Sequence, residues 1–208
     1  ALVKGLGYSV DQAVLTQSYL RGEVALSTSI ANYHIPVLVN DTQNGAVRVN
    51  EKRLNLQDIF IATEIAVLIG IGTSTNTAAK LYTYPNSTAF ATGGGDLWSI
   101  YNGYLNLAVN NQQVLPAWDV LRHYYVPQTQ QNTNFNSATA TAPGVYTIDQ
   151  ADLSESPYYP VEPNIVLNGA ANIQFQLTAN GAPATIATNS FIAVIQHGIL
   201  CQNVTTVK

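Results

Sequence analysis

Most apolar positions in this sequence recur every second residue, in short runs closed by Asn-Gly, Asn-Asn or Pro-Asn pairs, the signature of β-strands joined by tight turns. The clearest run is Asp58 to Ile71. Ile59, Ile61, Ile65, Val67, Ile69 and Ile71 fall on one side and Phe60, Ala62, Ala66 and Leu68 on the other, so both sides need cover and a central strand is predicted. Upstream, Val24 and Leu26 alternate within Glu23 to Ala31, and Ile35, Val37 and Val39 within Tyr33 to Val39, ahead of turns at Asn40-Asp41 and Asn44-Gly45. Lys80 to Tyr84 predicts a strand closed by Pro85-Asn86. Leu105, Leu107 and Val109 alternate up to Asn110-Asn111, and Val114 to Tyr125 returns as their partner, with Pro116 marking an edge or a bulge. Val145 to Ile148, Ile165 to Leu167, Ile173 to Leu177 and Phe191 to Leu200 complete the set, with Asn168-Gly169 and Asn180-Gly181 between them.

Two stretches depart from this alternation. Val10, Ala13, Val14 and Gln17 follow the helical period, and Ser9 with Gln12 has the spacing of a capping box, which predicts a helix over Ser9 to Leu20. Asp96, after Gly93-Gly94-Gly95, predicts the N-cap of a shorter helix carrying Leu97, Ile100 and Tyr101 and stopped by Asn102-Gly103. Pro127 to Pro143, rich in Gln, Asn, Thr and Ala, reads as a long loop or arm, and Asp152 to Pro163 as an extended proline-rich segment. Strands this short and this regularly spaced predict an all-β sandwich: residues 1–22 as an N-terminal arm with a short helix, residues 23–208 as a single domain.

Composition shifts attention from the fold to its surface. Only 8 basic and 12 acidic side chains occur in 208 residues, a charged share of 10% where about 25% is ordinary. In their place stand 20 Asn, 14 Gln and 20 Thr, groups that hydrogen-bond without the desolvation cost of an ion. After Glu162 no ionised side chain occurs until Lys208, although this tract holds three predicted strands. Sheet edges there would lack the charges that stop a lone subunit pairing edge to edge. Eight scattered cations cannot supply the field of a nucleic-acid binder. No apolar run reaches the ~20 residues of a membrane-spanning helix; Thr63, Glu64 and Gly70 interrupt the nearest. A single cysteine, Cys201, excludes an intrachain disulfide and a paired-cysteine zinc or redox site. With Ala1 first and no methionine, the chain is expected to have lost an initiator or a leader.

Candidate chemistry is sparse. His34, His123 and His197 fall in three separate predicted strands, and His197 and Cys201, four apart on a strand, are too distant to share a zinc ion. No metal and no cofactor is expected. Asp149, Asp152 and Glu155 recur every third residue but lack a glycine-centred calcium loop, so they read as solvated turn acids. Glu64 with Asp58 or Asp119 is the best carboxylate pair on offer for glycoside cleavage; as a buried acid Glu64 is more simply explained by Arg48, Arg53 or Arg122 as partner. Nucleophile elbows, zinc-protease and phosphate-loop motifs are missing, and Asp96 at the helix mouth after the triple glycine would repel an anion. Sequons at Asn40, Asn86 and Asn203 are what an Asn- and Thr-rich chain yields by chance. Aromatics are the remaining signal. Of the 12 tyrosines, the proline-flanked pairs Tyr124-Tyr125 and Tyr158-Tyr159, with Phe135 in the polar arm, are candidates for a protein interface.

The order of features resembles the single jelly-roll coat proteins of icosahedral viruses and tailless bacteriophages. The resemblance covers most of the chain and rests on architecture and composition. The most similar segments are Asn50 to Ile71, a polar lead into a long apolar strand, and Leu81 to Phe90, where Leu81-Tyr82-Thr83-Tyr84-Pro85-Asn86 closes a strand. It implies a jelly-roll β-sandwich with one or two short helices and no enzymatic activity. It also implies a place in the virion as a homo-oligomer alongside other capsid proteins. Many such proteins carry a basic arm on the genome; this chain has only Lys4 near its start, so it would face an internal virion membrane or another protein layer rather than nucleic acid. Assembly has a physical basis apart from the family: ions buried between subunits without partners are expensive, and amides, hydroxyls and tyrosines lower that cost. Pro127 to Pro143 and Pro157 to Pro163 would then lie across a neighbouring subunit. The alternative is a lectin-like or receptor-binding carbohydrate sandwich in which Trp98 and Trp118 stack on sugar rings.

Overall fold

The computed structural model describes residues 2–5, 7–9, 13–41, 51–71, 80–84, 97–125 and 157–206. The strands are β1 (Tyr8–Ser9), β2 (Val14–Ala25), β3 (Asn32–His34), β4 (Ile59–Ile71), β5 (Lys80–Tyr82), β6 (Tyr104–Val109), β7 (Gln112–Asp119), β8 (Tyr159–Asn168), β9 (Ile173–Thr178), β10 (Ser190–Gln202) and β11 (Thr205–Thr206). Helix is confined to α1 (Leu2–Gly5), α2 (Trp98–Tyr101) and a 3₁₀ turn at Val120–His123.

One sheet runs β2-β10-β4, with β8 and β5 sharing the far edge of β4; the second runs β3-β9-β6-β7. The antiparallel partners are β2 with β10, β3 with β9, β4 with β8 and β6 with β7. Leaving aside the short β1, β5 and β11, first thus pairs with last, second with seventh, third with sixth and fourth with fifth. A long hairpin of strand pairs wound round a core in this way is a jelly roll. The two sheets enclose Phe60, Val67, Ile69, Leu105, Leu107, Phe175, Leu177, Ile192 and Val194, all buried. Each such side chain contributes about 1.5–3 kcal/mol on leaving water.

β4 is central, as its two apolar sides predicted, lying between β10 and the pair β8 and β5. Against β10 its register slips between Ala62 and Glu64, where Thr63 is the extra residue and donates its hydroxyl to the His197 carbonyl; against β8 the same step spans Ile165 to Pro160, and the extra residues belong to β8. Beyond this bulge the sides exchange: Ile59 and Ile61 face outward with Cys201, whereas Ile65, Val67 and Ile69 enter the core. β6 and β7 form the expected hairpin, with Asn110 (φ 50) and Asn111 (φ 63) both left-handed as a two-residue primed turn requires. β7 begins at Gln112 and ends at Asp119, where the Asp119 carboxylate caps the 3₁₀ turn by accepting from the Leu121 N–H. His123 therefore lies in that turn and not in a strand.

The helix predicted over Ser9 to Leu20 is not formed. Val14 to Ala25 is a strand paired with β10 along its whole length, from Val14 opposite Gln202 to Ala25 opposite Phe191. An isolated helix of that size is marginal in water, whereas strand pairing buries Leu20 and Val24 in the core. The sandwich consequently starts at Val14, ahead of the boundary at 23. The second helix is present, but Leu97 occupies its N-cap and no side chain caps it. The expected turn at Asn44-Gly45, the arm Pro127 to Pro143 and the strand Val145 to Ile148 lie outside the described residues.

The ion-free tract after Glu162 has a different cause from undefended edges. β9 and β10 are interior strands, hydrogen-bonded on both sides, and have no edge to defend. Two true edges carry proline: Pro116 in β7, followed by Ala117 at φ 47, and Pro160 and Pro163 in β8.

Candidate interaction surface

Two aromatic groups meet at the 3₁₀ turn. α2 packs against that turn, and its Trp98 lies tilted over Tyr124 with ring centroids 4.7 Å apart, while Tyr101 meets both edge-on at 6.3 and 5.2 Å. Tyr101 is buried and its hydroxyl titrates well above the usual range, through burial first and Tyr124 second. Trp98 remains 41% exposed.

On the other side of the turn Trp118 donates its indole N–H to Nε2 of His123 at 3.0 Å. The remaining ring nitrogen, Nδ1, lies 3.4 Å from the Pro157 carbonyl, so the neutral imidazole carries its proton on Nδ1 and donates it there. Tyr159 meets the same imidazole edge-on at 5.2 Å, and the Arg122 guanidinium sits 4.8 Å above the Trp118 ring. Burial lowers the His123 pKa to about 4; the Pro157 carbonyl opposes this, Arg122 adds to it and Asp119 opposes it.

The structure thus brings Trp98 and Tyr124 together, and Trp118 with Tyr159, through the adjacent His123 and Tyr124. Tyr158 departs from this group. It stacks on His197 at 3.8 Å on the outer side of the first sheet, where burial raises its hydroxyl pKa. Tyr125 is half-buried and its backbone is tied to Thr83. Phe135 lies outside the described residues. Sequence reading weighs His123 only as a metal ligand and Tyr101 only as a residue of the short helix, and places neither in this aromatic group. The separation of Tyr158 from Tyr159 was legible in principle, since neighbours on a strand point to opposite sides.

Glu64 is not a buried acid seeking an arginine. Its side chain is 45% exposed and faces Nδ1 of His197 at 3.7 Å. Arg53 is committed to Glu51 at 2.9 Å, in a buried pair that also ties in the Asp41 carbonyl, and Arg122 to Trp118; Arg48 lies outside the described residues. Nor do the carboxylates face one another. Asp58 is buried and accepts from Asn55, Asp119 caps its turn, and five residues, at about 3.3 Å per residue step, separate Asp58 from Glu64. Among the described residues no group of three or more His, Cys, Asp or Glu is placed to hold a metal ion; Asp149, Asp152 and Glu155 lie outside them.

A second exposed apolar group, missed because its segment was read as helix, lies on β2 and β10. Val14, Leu15, Tyr19 and Ile199 are 49, 59, 42 and 40% exposed. Leu15 and Tyr19 sit opposite Cys201 and His197, on either side of the Gln17 and Ile199 pair. Strand alternation places Leu15 and Tyr19 on one side, with Ile199 of β10 between their partners, and Val14 on the other.

No known protein family and no curated protein matches the chain, so the fold and the chemistry of its surface carry the functional argument.

Proposed function

We propose that this chain is a structural subunit of a virion shell, assembling with copies of itself and with other coat proteins. A jelly roll hosts many functions, so the supporting weight falls on the surface. The observation that carries the reading is that exposed aromatic and aliphatic side chains, Leu15, Trp98 and Tyr159 among them, stand among amides and hydroxyls on a chain with so few ions. Such side chains are favoured where subunits meet and disfavoured where a lone molecule meets water. The neutral outside gives no electrostatic hold on a genome, so the shell reading assigns nucleic acid to another component.

Trp98 and Tyr159 are the anchors to test. Buried interface aromatics commonly contribute 2 kcal/mol or more each. Trp98→Ala with Tyr159→Ala is expected to raise the subunit concentration needed for assembly by at least about tenfold in subunits that remain folded, the lost contacts with Tyr124 and His123 lowering the unfolding midpoint only in part. Assembly at the wild-type concentration would contradict the reading of this surface.

Trp98 also supports a second reading. An exposed indole held against Tyr124 is a platform on which a sugar ring can stack. Tryptophan fluorescence titrated with a panel of polysaccharides separates the two: a saturable change abolished by Trp98→Ala favours carbohydrate binding, and an unchanged spectrum removes it.

A further inference from the structure

β2 is an edge strand, and among the described residues the first half of that edge is open. β10 bonds one side of β2 along its length. On the other side Arg21 and Lys52 exchange backbone hydrogen bonds at 2.8 and 3.0 Å. This pairing fixes the phase of the strand: Arg21 turns its N–H and C=O away from β10, and by alternation so do Tyr19, Gln17 and Leu15. No described residue bonds the backbone of those three on that side. Unlike β7 and β8, the stretch Val14 to Leu20 holds no proline and no ionised side chain of its own, the Lys52 ammonium reaching it only at the Ser18 and Tyr19 end.

We propose that a second copy of this chain adds to this edge, β2 against β2 in antiparallel register, about a twofold axis through Gln17. The inference rests on the shell reading and names one of its contacts. The open stretch runs from the strand's start at Val14 to the residue before the Arg21 and Lys52 pair, so its midpoint is Gln17. Antiparallel pairing centred there uses all of it. The phase agrees, since residues with outward backbone meet their own kind: Gln17 opposite Gln17, and Leu15 opposite Tyr19 on both sides of the axis, each pair exchanging two N–H···O bonds.

Side chains agree as well. On the outer side Leu15 of one copy packs on Tyr19 of the other; on the opposite side Thr16 meets Ser18 and Val14 meets Leu20, pairs that suit neighbouring strands. No like charges oppose each other. Lys52 is held by the Ser18 hydroxyl at 2.8 Å and lies 4.8 Å above the Tyr19 ring, and the twofold axis puts the two copies of Lys52 at opposite ends of the contact. An unrelated extended peptide would gain the backbone bonds but not these matched pairs. The area of such a contact is below that of a stable free-standing dimer, as suits one of several contacts in a shell.

Gln17→Cys in the full chain tests this under a mild oxidant. The two Cα atoms of a hydrogen-bonded antiparallel pair lie about 5.5 Å apart, within disulfide reach, and native Cys201 is buried. Gln174→Cys, exposed on β9, is the control. The expected result is rapid covalent dimerisation of Gln17→Cys in assembled material at concentrations where Gln174→Cys stays monomeric. Gln17→Pro, which removes an N–H facing away from β10, is expected to reduce assembly at least tenfold without lowering the unfolding temperature of the subunit. Assembly without preferential Gln17→Cys linkage overturns the β2 contact and leaves the shell reading standing. A wild-type chain that never associates overturns both.

Discussion

His123 couples the aromatic surface to pH. Its Nε2 accepts from Trp118 and its ring is shielded by Tyr159 and Pro157, so protonation must break a hydrogen bond and place a charge in a buried site. The folded pKa of about 4 lies below the 6.5 of the unfolded chain. Between these values the unfolded state binds more protons, so stability is complete above about pH 6.5, falls as the pH drops through that window, and is lowest below pH 4. The full effect is roughly 3 kcal/mol, and about 2 kcal/mol of it is expected by pH 5. Urea unfolding at pH 7 and pH 5 measures it; His123→Gln should flatten the difference, and an equally flat wild-type profile would contradict the assignment. Sequence reading reached Trp98, Trp118, Tyr124 and Tyr159 through their size and proline neighbours. It named His123 and Tyr101 but not their part in this surface, because what distinguishes them is contact across the fold: a carbonyl at Pro157 and rings from α2 and the 3₁₀ turn.

At the level of elements, local patterns worked where they agreed with pairing. The run Asp58 to Ile71 and the Asn110-Asn111 turn each specify one structure, and each forms it. Ser9 to Leu20 does not: its helical spacing is real, but β10 offers a full-length partner, and tertiary pairing overrides propensity. The bulge at Thr63 was also invisible, since only the slipped register of β4 against β10 reveals it. Two substitutions test these elements. Ala117 holds φ 47 beside Pro116 on the β7 edge, so Ala117→Gly should raise stability by about 1 kcal/mol in urea unfolding. A Cβ at Gly198 would collide with the Ile61 carbonyl oxygen beside the bulge. Gly198→Ala should therefore cost at least about 2 kcal/mol, and a neutral result would contradict the close approach of β10 to β4.

For the whole molecule, the all-β sandwich was legible because alternation and turns recur along most of the chain, whereas the jelly-roll winding is set by pairings between distant strands such as β2 with β10 and β4 with β8. The scarcity of ions takes on a sharper meaning in the structure. Part of it reflects interior strands, β9 and β10, that need no charge. The rest lies on surfaces where Leu15, Trp98 and Tyr159 are exposed, and on the shell reading these are covered by neighbouring subunits. Contacts made of such groups are insensitive to ionic screening. Light scattering on the purified chain at rising concentration measures this most directly. The account predicts a mass far above the 22.4 kDa of one subunit, in fixed oligomers or closed particles that persist from about 0.1 to 1 M salt. A single-subunit mass at every concentration would contradict it.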